Sequence, residues 1–269
     1  MVSHKKMGLI TGRGNLPVIL AQQIKKQNIE LVIISLVKDE QNELQAIANK
    51  FYSFEIGQMQ TIIETLIQEG IKEIFMIGKV DKEIIFDKSK LDNRAIGLLS
   101  KLKARDDNAI MKAIIDELAN DGLLVLDQRQ YLSDLLAQKG ILTRMQPTQE
   151  QWLDIEYGLL MAKSIASLNI GQSVVVKDRV VLAVEAIEGT DETILRAGSF
   201  GQEGLVVAKT SKSDHDIRFD IPTVGISTIK TMIKAKATVL ALESEKVLIV
   251  NKDAVIKEAD KVKIVIAVL

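Results

Sequence analysis

The sequence predicts an α/β fold in two parts, the first built on a parallel sheet and the second on a mixed one. Three observations carry this. Short apolar runs alternate with helical patterns from Met7 to Ile77, a proline-bearing break falls at Thr143–Thr148, and strands outnumber helices after it. At 269 residues the chain has room for two domains of about 100–200 residues each.

Met7–Ile10 is a short apolar run ending in Thr11-Gly12-Arg13-Gly14-Asn15. Pro17, well tolerated in a first helical turn, opens a helix through Val18, Ile19, Leu20 and Ile24 to about Gln27. Leu31–Leu36 reads as a buried strand, Leu44–Asn49 as a short helix and Phe51–Ile56 as a strand. Met59–Glu69 is an amphipathic helix stopped by Gly70, and Ile74–Ile77 is a strand closing on Gly78-Lys79. Short apolar strands alternating with helices predict a parallel sheet covered on both faces. Residues 1–142 therefore read as a Rossmann-like parallel α/β domain. Within it Ala95–Lys103 and Asn108–Asn120 are helical, Leu123–Leu126 is a brief strand, and Tyr131–Gln138 is a short helix before Gly140.

Pro147 disfavours helix at Gln146. Thr148 and Gln151 then form a capping box for a helix from Glu150 to about Leu168. The boundary falls at about 140–148, and residues 143–269 read as a mixed α/β domain. Ser173–Lys177 and Val180–Glu185 form a hairpin around Asp178-Arg179. After the loop Ile187–Asp191 come a short helix, Thr193–Ala197, and a strand, Leu205–Lys209. A polar loop runs from Thr210 to Arg218, Thr228–Ala235 is helical, and Val239–Leu242, Val247–Val250 and Ile264–Val268 are strands.

Composition narrows the function. With 35 Lys+Arg, 36 Asp+Glu and 4% aromatics, the chain lacks both the basic surface and the stacking platforms of a nucleic-acid binder. It has no Cys, which excludes thiolate nucleophiles, thiolate zinc sites and redox dithiols. The apolar run after Met1–Lys6 is broken at Gly12–Asn15, unlike a secretory signal, and no stretch approaches 18 uncharged apolar residues. A soluble, cytoplasmic protein is expected, with surface attachment to a membrane left open.

Several constellations are candidates for chemistry. Gly12-Arg13-Gly14-Asn15 lies between a strand and a helix, where open α/β sheets collect ligands and helix N–H groups meet anions. The alternative is an ordinary turn, and Pro17 replaces the third glycine of a dinucleotide fingerprint. Gly78-Lys79 ends a later strand on the same edge, its lysine facing either a phosphate or solvent. Arg105-Asp106-Asp107-Asn108 either caps a helix or holds a divalent cation. Glu185-Ala186-Ile187-Glu188-Gly189-Thr190-Asp191 gathers three acids at a strand end, a plausible cation or ribose site. Asp220, between Phe219 and Ile221-Pro222, needs a cationic partner or a metal in so apolar a setting, unless it caps a turn. His4 and His215 lie in polar stretches, and no serine has nucleophile-elbow context. A hydrolase here would rest on carboxylate-bound metal.

The stretches Gly8–Pro17, Arg105-Asp106-Asp107, Leu168–Gln172, Val181–Asp191 and Arg218–Gly225 together resemble the UDP-2,3-diacylglucosamine diphosphatases of the LpxI type. The resemblance runs in the same order from about Met7 to the C-terminus. It implies two domains holding the substrate between them and a Mg²⁺-dependent hydrolase of lipid A biosynthesis, with Mn²⁺ as a substitute. Water would attack the α-phosphorus of UDP-2,3-diacylglucosamine to give UMP and 2,3-diacylglucosamine 1-phosphate (lipid X). The catalytic aspartate of the family falls at Asp220. Metal ligands are then expected among Asp220, Glu188, Asp191 and Asp107. Substrate contacts are expected from Gly12, Arg13, Gly14, Asn15, Gly78, Lys79, Gly171, Gln172, Gly189, Thr190, Asp191, Lys209 and Lys212. The greasy product implies transient contact with the inner membrane surface, and a homo-oligomer is left open. The rival readings are a nucleotide-sugar-binding sensor or transferase without pyrophosphatase activity, and an NAD-dependent enzyme.

Overall fold

The computed structural model describes residues 5–37, 41–80, 88–102, 107–201, 203–211, 218 and 221–269. Two compact units emerge, Met1–Leu132 with Asp216–Asp220, and Ser133–His215 with Ile221–Leu269.

The first unit is a five-stranded sheet of β1 (Lys6–Thr11), β2 (Glu30–Ser35), β3 (Lys50–Ser53), β4 (Glu73–Ile77) and β5 (Leu124–Val125). The strands are all parallel, in the order β3-β2-β1-β4-β5. The chain moves outward from β1 to β3, then returns to the other side of β1, so the order reverses between β1 and β4. The strands are continuous apolar runs because both sheet faces are covered. On one face Ile10, Val32, Ile34 and Ile74 join Ile63 and Leu66 of α3 (Met59–Gln68) and Leu118 of α5 (Asp107–Asn120) in one core. Helix α3 buries Met59, Ile62, Ile63 and Leu66, the i, i+3, i+4, i+7 stripe of an amphipathic helix. Residues of the opposite parity, Met7, Leu9, Leu31, Ile33 and Phe75, are also fully buried. Helix α1 (Leu16–Lys25) buries Leu20, Ala21 and Ile24 and packs on β2. Helices α2 (Asn42–Ile47), α4 (Asn93–Ser100) and α6 (Arg129–Leu132) complete the unit.

The second unit holds a six-stranded mixed sheet, ordered β6-β13-β11-β9-β7-β8. Its strands are β6 (Gly140–Ile141), β7 (Ser173–Lys177), β8 (Val180–Val184), β9 (Leu205–Lys209), β11 (Ala237–Leu242) and β13 (Val265–Val268). Strands β9, β11 and β13 are parallel, while β7, β8 and β6 join antiparallel. Alternation along these strands sorts the core. Val174, Val176, Val206, Ala208, Val239 and Ala241 face Ile155 and Ala162 of the long helix α7 (Gln149–Ser167). Val175, Val207, Leu240 and Leu242 face the side of Ile194 in α8 (Thr190–Gly198), Met232 in α9 (Ile226–Lys234) and Val255 in α10 (Lys252–Lys261).

Local chemistry sets these elements as expected. The Thr148–Gln151 capping box starts α7, and Asp178 and Arg179 both take positive φ in the β7–β8 turn. Asp tolerates that conformation better than most residues, but Arg does not favour it. The turn holds because the buried Asp154 of α7 accepts both their backbone N–H groups, at 2.9 and 2.7 Å.

Three local expectations change. The helix expected over 131–138 becomes α6 and a 3-10 turn at Ser133–Leu135, because Ala137 N donates instead to the Val247 carbonyl and Leu136 bridges Leu248. The strand expected over 247–250 is β12 (Leu248–Ile249), paired with β10 (Thr223–Val224) in a separate two-stranded sheet. Helix α10 was not expected at all. It buries only Val255 and Ala259, a stripe too narrow to stand out among its charges.

Candidate functional site

The first group of predicted residues lies where the β-sheet order reverses, at the carboxyl ends of β1 and β4. Ligands of open α/β sheets bind outside such points. The two strand-end loops are zipped together. Gly12 N donates to the Ile77 carbonyl at 2.8 Å, Arg13 N to Lys79 O at 2.7 Å, and Lys79 N to Arg13 O at 3.0 Å. A methyl group on Gly12 would overlap the Lys79 carbonyl, and Gly78, at φ +102°, lies against Gly12 in turn. The close backbone approach alone requires both glycines. The N–H groups of Gly12, Arg13 and Lys79 are spent on this pairing and are not available to an anion. Arg13, Gly14, Asn15 and Lys79 are exposed, and the Asn15 side chain does not cap α1.

The second group lies at one edge of the other sheet. Lys209 ends β9 and pairs in register with Ser173, which opens β7. Glu185 follows β8, Thr190 starts α8, and Glu243 follows β11. All five reach this edge because β7 runs opposite to β8 and β9. Lys209 is only 4% exposed, a placement that costs an unpaired ammonium several kcal/mol. It is not unpaired. Its Nζ donates to Thr190 Oγ1 at 2.7 Å and Ser173 Oγ at 3.2 Å, and lies 3.9 Å from Glu185 Oε2. Thr190 Oγ1 passes its own hydrogen to Glu185 Oε1 at 2.9 Å, so one hydroxyl couples the cation to the carboxylate. Gln172 N donates to Glu185 Oε2 at 3.3 Å, and the Gln172 carbonyl accepts from Thr210 N at 2.9 Å. Gly171 sits so close to the Glu185 carbonyl that any Cβ would collide with it.

Next to Lys209, the buried Thr210 donates its hydroxyl to Glu243, whose other oxygen lies 3.1 Å from Lys163 Nζ. Burial alone would raise the Glu243 carboxyl, but the bonds from Thr210 and Lys163 outweigh it and hold the group below the ordinary range. Ser173 and Glu243 were absent from the sequence-predicted site, and Thr210 was read only as the start of a polar loop. The available signal for Glu243 was an acid just past a strand, one strand over from Lys209.

The structure thus brings Gly171, Gln172, Thr190 and Lys209 together, with Gly189 preceding Thr190 as the α8 N-cap at φ +83°. Asp191 is exposed in the first turn of α8. Glu188 accepts from Ala186 N at 3.2 Å, Arg196 Nη2 at 2.7 Å and Thr193 Oγ1 at 3.2 Å, and hydrogen bonding from the backbone and from Arg196 lowers its carboxyl. Asp107 is the first residue of α5. Its side chain, Lys212 and Asp220 lie outside the described residues. Among the described residues no three His, Asp or Glu side chains gather so as to hold a metal ion. Glu185, Glu188 and Glu243 are already engaged by lysine, arginine, hydroxyl and backbone donors, and the described carboxylates do not on their own fit a magnesium site.

Residues 6–135 match the family model of the LpxI N-terminal domain, and residues 138–267 that of the LpxI C-terminal domain. The UDP-2,3-diacylglucosamine pyrophosphatase LpxI of Caulobacter vibrioides is 29% identical over 267 residues, covering 95% of this chain and 94% of that protein. Among solved structures, the ADP complex of the N5-carboxyaminoimidazole ribonucleotide synthetase PurK aligns with 88% of this chain and 45% of its own, at 14% identity and a TM-score of 0.29. The biotin carboxylase subunit of pyruvate carboxylase aligns with 63% of this chain and 34% of its own, at 11% identity and a TM-score of 0.28. The chain therefore spans less than half the length of either structure.

Proposed function

The chain belongs to the LpxI family, matched over both of its domains, and from that premise we propose that it hydrolyses the pyrophosphate bond of UDP-2,3-diacylglucosamine in lipid A biosynthesis. The products would be UMP and 2,3-diacylglucosamine 1-phosphate, with water attacking the α-phosphorus. The observation that carries the reading is the strand-end group around Lys209. A desolvated ammonium held by Thr190 and Ser173 is a fixed positive charge, and phosphoryl transfer is accelerated mainly by such preorganised charge. Glu185, reached through Thr190, keeps that charge in place without contacting Lys209 closely. In this reading Lys209 and Lys212 steady the diphosphate, Gly12–Asn15 with Gly171-Gln172 meet the nucleotide or sugar, and Asp220 orients the water or holds the metal.

Magnesium, the proposed cofactor, would neutralise charge on the phosphoryl oxygens when bound. Its proposed ligand is Asp220, with Asp191, Glu188 and Asp107 as further candidates. We also propose peripheral contact with the inner membrane surface. No described helix is long and apolar enough to cross a membrane. The apolar side chains Leu168, Ile170 and Ile187 are exposed on the two loops that meet where Gly171 packs on Glu185.

The deciding experiment is release of UMP from UDP-2,3-diacylglucosamine, with and without EDTA, by the parent and by Asp220→Ala. Metal-dependent release that the variant loses while still binding substrate supports the proposal. Equal rates under EDTA would remove magnesium from it, and near-normal kcat in the variant would remove Asp220. Binding of UMP or UDP-sugar without turnover would favour the sensor instead.

A further inference from the structure

Gln128 is a buried polar residue that the proposed reaction does not use. It lies just ahead of α6 and is 2% exposed. Its side-chain nitrogen donates to two main-chain carbonyls, Met76 O at 2.6 Å and Arg218 O at 3.2 Å. Met76 lies near the end of β4, two residues before Gly78. Arg218 is 90 positions further along the chain than Gln128, yet it belongs with the first unit, whereas Ser211 and Ile221 belong with the second.

A primary amide carries two N–H groups on one nitrogen, so it can tie together two carbonyls that share no sheet pairing. Leucine or methionine would fill the same volume. Only the donors explain a glutamine here. Beyond Arg218 the chain is anchored again in the second unit, where Leu248 N donates to the Pro222 carbonyl at 2.8 Å and Thr223–Val224 pairs with β12. Asp220 follows Arg218 by two Cα–Cα steps of about 3.8 Å.

We infer that Gln128 is a positioning residue: it fastens the main chain at Arg218 to the end of β4, the point from which the chain runs on to Asp220. The inference rests on the reading of Asp220 as a catalytic residue and adds what holds the main chain two positions before it. Gln128 itself touches no reacting atom.

Trypsin cleaves after Arg218, and the bond it attacks carries the carbonyl that Gln128 holds. In the full-length protein, Gln128→Met and Gln128→Glu keep the length of the side chain and lose both N–H donors. Each is expected to speed cleavage of the Arg218–Phe219 bond at least fivefold, read by mass spectrometry, with cleavage at other sites unchanged. Each is also expected to lower kcat for UMP release at least tenfold, with KM within twofold, after normalising to the folded fraction from circular dichroism. Unchanged cleavage after Arg218, uniformly faster cleavage at all sites, or kcat within twofold of the parent would each overturn the inference. Asp220→Ala is assayed alongside. Turnover retained in that variant overturns the catalytic reading on which the inference depends, and is told apart from a missing clamp because the Gln128 variants still accelerate cleavage at Arg218.

Discussion

Replacing Thr190 by Val tests whether the Lys209 group is an electrostatic unit or a set of neighbours. The change keeps shape and removes one hydroxyl. That hydroxyl accepts from Lys209 at 2.7 Å and donates to Glu185 at 2.9 Å. Hydrogen bonds to charged groups are worth about 1.5–3 kcal/mol each. Lys209 keeps Ser173, and Glu185 keeps a longer bond from Gln172, so part of the loss is recovered. The expected destabilisation is about 2–4 kcal/mol, or about 5–15 °C in Tm for a chain of this size. Trp152, the single tryptophan, lies in α7, so its fluorescence in a urea titration follows the second unit. In a Lys209→Met background the same substitution should cost at least about 1 kcal/mol less, because the bond to the ammonium is already gone. A loss below about 0.5 kcal/mol, or strict additivity of the two substitutions, would refute the coupling.

Other consequences are measurable in the same preparations. Gly12→Ala forces a methyl against the Lys79 carbonyl and should cost about 2–4 kcal/mol in thermal melts, whereas Gly97→Ala, inside α4 with nothing within 4 Å, should gain up to about 1 kcal/mol. Equal effects would mean that the zipped loops relax freely. Hydrogen bonds from Lys50, Tyr52 and Lys6 hold the Glu69 carboxyl at about 2 against an ordinary 4.5. Its folded pKa is the lower one, so its contribution is complete above about pH 5 and drains away as pH falls through 4.5 towards 2. Glu69→Gln should flatten the acid side of a Tm–pH curve in that window, and parallel curves would dismiss the clamp. Ile170→Ser with Ile187→Ser should abolish flotation with liposomes of anionic phospholipid, while turnover of detergent-dispersed substrate stays within threefold. Undiminished flotation would move any membrane contact elsewhere.

Much of this fold was legible because burial writes itself into short strands. β1, β2 and β9 are apolar runs with no polar interruption, and the Thr148–Gln151 box marks α7 by local chemistry alone. What was missed is weak or distant in sequence. β6 and β10 are two residues long, too short for any period. Lys209 was readable as a strand-end residue, whereas Thr190 was read into the loop Ile187–Asp191 and in fact starts α8. Their bond joins positions 19 residues apart, and the Thr210–Glu243 bond positions 33 apart, so tertiary pairing alone creates both. The glycines of the first edge were singled out for one reason, and the structure gives them another. A ligand loop was expected, and the observed requirement is one backbone passing against another.

The capture of Arg218 by the first unit bears on how the molecule is made and dissected. A fragment stopped at Leu132 carries Gln128 without the second carbonyl it serves, so truncation there leaves a half-used amide in a closed interior. On the ribosome that hydrogen bond must wait until most of the second unit has been synthesised. That late bond marks Leu132 as a poor place to cut the gene.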